Sequence, residues 1–469
     1  MMAWGQLATD DDLVRFDREA RDGAQGYAWL TEATARIGHR LTGSAQGAMA
    51  EAFADSLFRV VGVPHVHQFP FEAVSWSRGM VEVRFQQGDW SIPFATVALA
   101  NTPVEAEVHA TIVDAGNGLR DDLERRGEAV RNKIVLMNLG LVAAPPGTAN
   151  LHRSEKTALA LQHGAAGVVF VNNVAGHVLL TGTASIDGTA IPIPAVCITE
   201  EDGALLRERL AQYEEPLKVF IRMRNTRSMT TAHNVVAEIP GSTRPEEVIV
   251  VGGHLDSWDL ATGATDNGLG SFSILDLARC FVAADIRPER TLRFVLFMGE
   301  EQGLLGSRAL VEHYAATGEL AHVKCMVNMD MCGNPQGFGV GGPVEWSAWL
   351  QRACSTIRQI DSAAFAGRTT QEIWLHSDHQ PFLLKGVPVM YPLSDLGRHV
   401  YGCYHSSCDD IHLVDPAAMV NNVRFIGALL LELARADDLP EHFTPEALRL
   451  RLQESGLEEP LRIGGDWPW

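Results

Sequence analysis

The first part of the chain carries a helical pattern. From Asp10 to Val61, apolar side chains recur at the spacing of an α-helix, in the segments AWLTEATARIGHRLTG and AMAEAFADSLFRVVG. Each segment stops at a glycine, Gly43 and Gly62 respectively, as helices commonly do. The pattern therefore predicts two helices in this region.

Between about Glu105 and about Asn225 the apolar runs become shorter. The runs NKIVLMN, AAGVVFVNN and IPIPAVCI predict strands. The last run has proline near its start, which an edge strand or the entrance of a strand tolerates. The segments SEKTALALQHG and EDGALLRERLAQ predict helices. We expect a compact α+β insert without obvious catalytic groups, formed by residues 105–225 and flanked by residues 1–104 and 226–469 of one discontinuous domain.

From Ala232 onward, nearly continuous apolar runs alternate with helical patterns. The runs are NVVAEI, VIVVGG, LRFVLFMG, CMVNMDM and VPVMYPL, with helices predicted over GSFSILDLARCFVAA and after GLLGS. Strands that are apolar on both faces belong to sheets covered on both faces. The pattern therefore predicts an α/β three-layer sandwich with a mixed, mostly parallel central sheet.

Polar side chains of one chemical kind collect just past the ends of these runs. They are His254, Asp256, Asp266, Glu300, Glu301, Asp330 and His405. In open α/β sheets, ligands bind outside the carboxyl ends of the strands. Histidine and carboxylate ligands suit zinc first, with manganese or cobalt as alternatives. Together these residues predict a metal site, although no single motif among them is specific.

Several other motifs are excluded by spacing. The acidic residues do not follow the EF-hand pattern, and the chain has neither a zincin H-E-x-x-H helix nor a G-x-S-x-G nucleophile elbow. The stretch from Gly337 to Gly342 formally matches the dinucleotide-binding G-x-G-x-x-G motif, but Pro343 follows at once. This favours a strand and a turn there.

Composition narrows the partners. The net charge of -20 over 469 residues argues against nucleic acid or an anionic membrane as a partner. No apolar run reaches the roughly 18 residues of a membrane span. The start MMAWGQLATDDDL lacks the features of a signal peptide, which suits a cytoplasmic chain and a processed secreted chain equally. Cys403 and Cys408 are close enough to pair, and two free thiols are an equal alternative.

The order of the motifs resembles a known family. HLDSWD, TDNG, GEEQGLLGS, NMD, SDHQPF and YHSSCDD follow one another as in the co-catalytic zinc aminopeptidase superfamily. The form GGHLDSWD resembles its branch with plasma glutamate carboxypeptidase, also named carboxypeptidase Q. IGHRLTGS resembles the entry segment of that branch. The resemblance implies a catalytic metallopeptidase domain with an inserted protease-associated domain, and it covers nearly the whole chain.

The resemblance also implies two zinc ions. His254 and Asp330 would hold one, Glu301 and His405 the other, and Asp266 would bridge them. Metal ions about 3.5–4 Å apart can clamp one water between them, and three protein ligands on each leave a position open.

Further roles follow from the same resemblance. Glu300 would be the general base for the bridging water, and the carboxylate of Asp256 would accept the second ring N–H of His254. The bond between Asp266 and Asn267 is expected to be cis, as this family often has it there. Asp259 is expected to be a loop residue.

Around this centre, several side chains have open roles. Asp378 and His379 are expected to shape the pocket. His376 is a candidate for substrate contact, and so are Arg398 and Tyr401, although a surface salt bridge suits Arg398 equally well.

Three hypotheses of function remain. The first is a dinuclear exopeptidase for dipeptides or short peptides. The second is a binding or receptor homologue that has lost catalysis, and the third a glutaminyl-cyclase-like transferase with one metal. The complete ligand set favours the first. A homodimer is an expectation from the family only.

Overall fold

The computed structural model describes residues 11–469, so the predicted helical start at Asp10 and most of the segment tested for a signal peptide lie outside the described residues. The helices are α1 Asp11–Asp22, α2 Gly26–Arg36, α3 Ala45–Val60, α4 Arg120–Arg126, α5 Arg153–Gln162, α6 Glu200–Gln212, α7 Leu269–Ala283, α8 Leu305–Thr317, α9 Glu345–Ile357, α10 His379–Leu384, α11 Gly397–Tyr401, α12 Pro416–Arg435, α13 Pro445–Glu454 and α14 Glu458–Gly464. The strands are β1 His65–Gln87, β2 Trp90–Pro93, β3 Val97–Ala98, β4 Glu105–Asp114, β5 Ile134–Asn138, β6 Gly167–Val171, β7 Ala195–Ile198, β8 Lys218–Ile239, β9 Arg244–His254, β10 Arg290–Phe297, β11 Val323–Asn328, β12 Gly337–Gly341, β13 Arg368–Thr370 and β14 Val389–Pro392.

The central sheet of the large domain is mixed, as predicted. Its strands run in the order β13-β12-β14-β11-β9-β10-β8, with β1 paired to β8. Strands β14, β11, β9 and β10 are parallel to one another, whereas β12 is antiparallel to β14 and β8 is antiparallel to β10. Apolar side chains fill both faces of this sheet, with α7 and α12 on one face and α8 and α13 on the other. The three-layer prediction is therefore confirmed.

Two long strands connect the large domain to the insert. Residues 65–69 of β1 pair with the end of β8 beside β10, and residues 80–86 pair with the start of β8 beside β4. Beyond β4, parallel strands β5, β6 and β7 continue the sheet. The short strand β3 pairs with β7, so residues before the predicted boundary at 105 also contribute to the insert's sheet.

Local predictions agree with the elements, with differences at their ends. The N-terminal region contains three helices rather than two, because α1 precedes the two predicted segments. Gly62 adopts positive φ just after α3, as its predicted helix end requires, whereas α2 already ends at Arg36, seven residues before the predicted stop at Gly43. The stretch from Gly337 to Gly341 is strand β12, as favoured over a nucleotide loop.

Within the described residues, α12 is the one helix whose length and apolar character would suffice to cross a bilayer. It packs inside the fold, where 72% of its most apolar window is buried. Its apolar side chains belong to the same core cluster as those of α7 and β10. The helix is therefore accounted for as a core element of this domain.

Candidate metal centre

The predicted ligands lie together at one edge of the large sheet. His254 is the last residue of β9, while Glu301 and Asp330 lie shortly after the ends of β10 and β11. These three strands are neighbours and parallel, so their carboxyl ends meet at the same edge. Asp266 lies in the bend before α7, and His405 comes from the loop after α11.

The five side chains form two trios that share one carboxylate. Nε2 of His254 lies 3.2 Å from Oδ1 of Asp266 and 3.3 Å from Oδ1 of Asp330. Nε2 of His405 lies 3.1 Å from the other oxygen of Asp266, Oδ2, and 3.0 Å from Oε2 of Glu301. Asp266 is thus placed between the two trios, as the predicted bridge requires.

The donor set fits zinc. Two ligand atoms on one tetrahedral zinc ion, each about 2.0–2.2 Å from it, lie roughly 3.3 Å apart, which is close to the distances within each trio. His254, Asp266 and Glu301 alone form a buried group whose ligand atoms lie within 4.8 Å of one another. Oε1 of Glu301 is buried without a hydrogen-bond partner, which is costly unless a cation binds it.

Burial and mutual charge shift the pKa values of these groups. Burial alone would raise the pKa of Asp266, but its hydrogen bonds to His254 and His405 bring it below its usual range. Burial raises the pKa of Glu301 to about 7 and that of Glu300 well above its usual range. For His254, burial is outweighed by Glu300 and Asp330, whose charges raise its pKa. A cation would relieve the crowding of these carboxylates.

Asp256 acts on His254 through a different atom from the one predicted. Nδ1 of His254 lies 3.0 Å from the main-chain oxygen of Asp256, whereas the carboxylate is 3.7 Å away. The carbonyl can only accept, so Nδ1 carries a proton, and Nε2 is the ring nitrogen that a metal ion would bind. The carboxylate instead accepts hydrogen bonds from the Thr42 hydroxyl at 3.1 Å and the Glu300 backbone N–H at 3.3 Å.

Two residues that sequence reasoning left without a role hold the loop around Asp266. Asp409 accepts hydrogen bonds from the backbone N–H groups of Thr265 and Asp266, at 2.8 and 3.0 Å. Arg40 is fully buried and donates to three backbone carbonyls of residues 255–263. Both lie in motifs that carried the resemblance, YHSSCDD and IGHRLTGS, but nothing in their spacing indicated these contacts.

The remaining loop predictions have definite outcomes. Asp259 points away from the centre and forms a salt bridge with Arg78 at 2.8 Å, so it is a loop residue as expected. The bond between Asp266 and Asn267 is cis. Cys403 and Cys408, on either side of His405, are joined by a disulfide.

A cavity of about 260 Å³ opens above the two trios. Glu300 lines it, half-buried and outside both trios. The opposite wall comes from α5 of the insert, and the C-terminal segment, which consists of α14 and the residues after it, closes one side. The insert nevertheless contributes to the cavity, because α5 packs beside His405 and its N-terminus brings Arg153 and Glu155 to the wall.

The candidate substrate contacts divide into two groups. His376 lines the cavity and lies 3.3 Å from a carboxylate oxygen of Glu155. Arg398 and Tyr401 are exposed on α11 and do not line it, so the structure does not support a substrate contact for either. Asp378 and His379 are fully buried and contribute no surface to the cavity, and burial raises the pKa of Asp378 to about 8.

Comparison with known proteins agrees with this architecture. Residues 234–430 match Peptidase family M28, and residues 100–206 match the PA domain. Carboxypeptidase Q of Bos taurus is 29% identical over 413 residues, which cover 84% of this chain and 82% of that protein.

Two solved structures share the fold. A peptidase M28 precursor from Shewanella amazonensis has a TM-score of 0.78 at 23% identity, covering 92% of this chain and 98% of that chain. BSAP, a zinc aminopeptidase from Bacillus subtilis, has a TM-score of 0.65 at 21% identity, covering 90% of this chain and 98% of that chain. Residues 234–430 therefore belong to peptidase family M28 and residues 100–206 to a PA domain, and the chain is a metallo-exopeptidase.

Proposed function

We propose that the protein is a dinuclear zinc exopeptidase that hydrolyses the peptide bonds of dipeptides or short peptides. The observation that carries this proposal is the pair of ligand trios that share Asp266. His254 and Asp330 would hold one ion, His405 and Glu301 the other. A site with one metal would not need both trios, so the complete set also argues against the one-metal transferase and the non-catalytic homologue.

Zinc bound there would supply Lewis acidity and would lower the pKa of water toward neutrality. The chain's own residues do the rest. Asp266 and the two histidines supply ligand atoms. The Asp256 carbonyl holds the proton of His254 on Nδ1, so that the lone pair of Nε2 is free to bind the metal ion. Manganese or cobalt would be accepted by the same oxygen and nitrogen atoms.

Glu300 is proposed as the general base. It lines the cavity beside the trios. Its backbone N–H donates a hydrogen bond to the Asp256 carboxylate, which holds the backbone from which the side chain extends. Burial raises the pKa of Glu300, which suits a group that takes a proton from water and passes it to the leaving amine.

The shape of the cavity supports exopeptidase action. The insert helix α5 faces the centre, and Pro460, Leu461 and Asp466 of the C-terminal segment close one side. A folded chain is too large to enter a space of about 260 Å³. The end of a short peptide fits there.

The test is Glu300→Gln, measured by steady-state hydrolysis of dipeptides and by metal analysis. We expect two zinc ions per chain in both proteins and a fall in kcat of roughly 10²- to 10⁴-fold in the variant. Glu312→Gln, an exposed change on the following helix α8, should retain full activity.

Three results would contradict the proposal. Normal turnover by Glu300→Gln would remove it as the base. Full activity with fewer than two metal ions per chain would remove the dinuclear centre. Equal cleavage of peptides that are blocked at both ends would remove exopeptidase action. The homodimer expected from the family stays a prediction that light scattering would test.

A further inference from the structure

The sulfur chemistry that solvent can reach is concentrated at one place in this chain. Its seven cysteines divide into five buried free thiols and one disulfide, which joins Cys403 and Cys408. Both members of the disulfide are half-buried, and Ser407 beside Cys408 is exposed. The free thiols are Cys197, Cys280, Cys325, Cys332 and Cys354. Because the redox chemistry of cysteine depends on access, a redox reagent in solution acts on this pair before the others.

The disulfide encloses a metal ligand. His405 lies between the two cysteines, which are five positions apart in the sequence. Ser406 links the two sides of the loop, because its hydroxyl donates to the Cys403 carbonyl at 2.8 Å and accepts from the Cys408 backbone N–H at 3.4 Å. His405 has a φ of 53°, a conformation that residues with a Cβ rarely adopt and that their surroundings must hold. The closed loop therefore holds His405 in the conformation that presents its ring.

His405 differs from the other ligands in its support. The three ligands that follow β9, β10 and β11 are held by the sheet. His405 instead belongs to residues 402–415, a segment between α11 and α12 that contains neither a strand nor an α-helix. Its backbone oxygen accepts a hydrogen bond at 2.9 Å from Thr181, which lies in a loop of the insert. The covalent bond between Cys403 and Cys408 is therefore the strongest restraint on the backbone of this ligand.

The chain is anchored again directly after the disulfide. The Asp409 carboxylate accepts hydrogen bonds from the backbone N–H groups of Thr265 and Asp266, and from the Thr265 hydroxyl at 2.7 Å. None of these bonds involves sulfur. Opening the disulfide would thus free residues 403–408 while the bridging Asp266 stays in place. The trio that contains His254 has no residue in the freed loop.

We propose that the Cys403–Cys408 disulfide positions His405 and makes one of the two metal positions depend on redox state. In the oxidised enzyme both trios bind zinc firmly, and in the reduced enzyme only the trio of His254 does. The inference rests on the proposed dinuclear function and adds a control to it. A dithiol reductant breaks the S–S bond: its two electrons and two thiol protons pass to Cys403 and Cys408, and the reductant itself becomes a disulfide.

The test is a calorimetric zinc titration, with a competing chelator, of the oxidised and the reduced protein. A water-soluble phosphine serves as the reductant because the sulfurs of a dithiol would themselves bind zinc. The phosphine is oxidised to its oxide, and water supplies the oxygen and the two thiol protons. We expect the second zinc ion to bind roughly 10- to 100-fold more weakly after reduction and the first to bind as before. Reoxidation should restore the second ion.

Two variants serve as controls. Cys403→Ser combined with Cys408→Ser cannot form the bond, so it should bind the second zinc ion as weakly as reduced wild type, and the phosphine should change nothing further. His405→Ala keeps only the trio of His254, and its remaining zinc ion should bind equally before and after reduction. A disulfide that merely stabilised the fold would lower the free energy of unfolding without weakening one ion selectively.

The outcomes separate the two proposals. If oxidised wild type binds fewer than two zinc ions, the dinuclear function fails and this inference fails with it. If it binds two and reduction weakens neither, or weakens both alike, only the inference about the disulfide is overturned. If the double serine variant unfolds, the wild-type protein decides: selective and reversible weakening of the second ion supports the inference, and unchanged binding overturns it.

Discussion

Two buried arginines lie beside the same centre and differ in one respect. Arg40 belongs to the large domain and has no exposed surface, and its Nε, Nη1 and Nη2 donate to the carbonyls of Leu255, Thr262 and Gly263 at 2.6–2.8 Å. Arg153 belongs to the insert and is almost as buried, yet its Nε has no partner.

The difference lies in what each guanidinium holds in place. A buried guanidinium whose donors all meet carbonyls fixes those carbonyls, and here it fixes the loop between β9 and Asp266. Burial still lowers the pKa of Arg40 to about 10, although Asp409 and Asp256 act in the opposite direction. A buried guanidinium with an unmet donor, such as that of Arg153, is instead a cost to the fold.

The largest expected effect is on stability, in Arg40→Met. The change leaves three backbone carbonyls without donors, each worth about 1–3 kcal/mol, so we expect the free energy of unfolding to fall by roughly 3–9 kcal/mol. The measurement is urea unfolding of the zinc-loaded protein. Arg153→Met, as the matched change, should lose far less because it removes few satisfied bonds. Equal losses in both variants would end the distinction between the two arginines.

The same comparison explains what the sequence could predict. His254, Glu301 and Asp330 follow apolar strands, and the rule that parallel strands end at one edge turns their order in the chain into proximity. Asp266 and His405 were assigned from the order of motifs, which belong to an M28 peptidase. The large domain's contribution to the centre could thus be predicted from strand ends and motif order.

The insert's contribution could not be predicted in this way. Arg153 directly precedes the helical pattern SEKTALALQHG, which carries no recognisable site motif. Its position beside His405 depends on how α5 packs there, and no local sequence pattern encodes such a contact between domains. The sequence also could not show that His254 contacts the main-chain oxygen of Asp256 rather than its carboxylate, because this depends on backbone angles rather than on residue type.

A second expected effect concerns a satisfied cation of the insert, Lys156. It has no exposed surface, and its Nζ donates to the carbonyls of Asn138 and Leu139. Burial lowers its pKa from 10.5 to about 8, a change equivalent to roughly 3 kcal/mol. Between these values the unfolded chain holds more protons on this group, so the contribution of Lys156 to stability should rise as pH increases from about 8 to 10.5 and should be lost again as pH falls back to about 8.

Lys156→Met should remove this contribution, so the difference between the free energies of unfolding at pH 10.5 and at pH 7, measured by urea titration, should shift by roughly 3 kcal/mol relative to wild type. Exposed Lys385→Met is the control and should keep the wild-type difference between the two pH values. If Lys156→Met keeps that difference as well, another group causes it, and Lys156 is not the insert's counterpart of Arg40.

The smallest expected effect tests how finely the large domain is braced. The buried Thr42 hydroxyl donates to the Asp256 carboxylate, which also accepts from the Glu300 backbone. Thr42→Val keeps the shape and removes the donor, so we expect a loss of about 1–2 kcal/mol in urea unfolding with zinc content unchanged. Thr42→Ser keeps the hydroxyl and removes only the methyl group. If serine costs as much as valine, packing rather than the hydrogen bond holds Asp256, and the frame of the large domain depends on Arg40 more than on this polar brace.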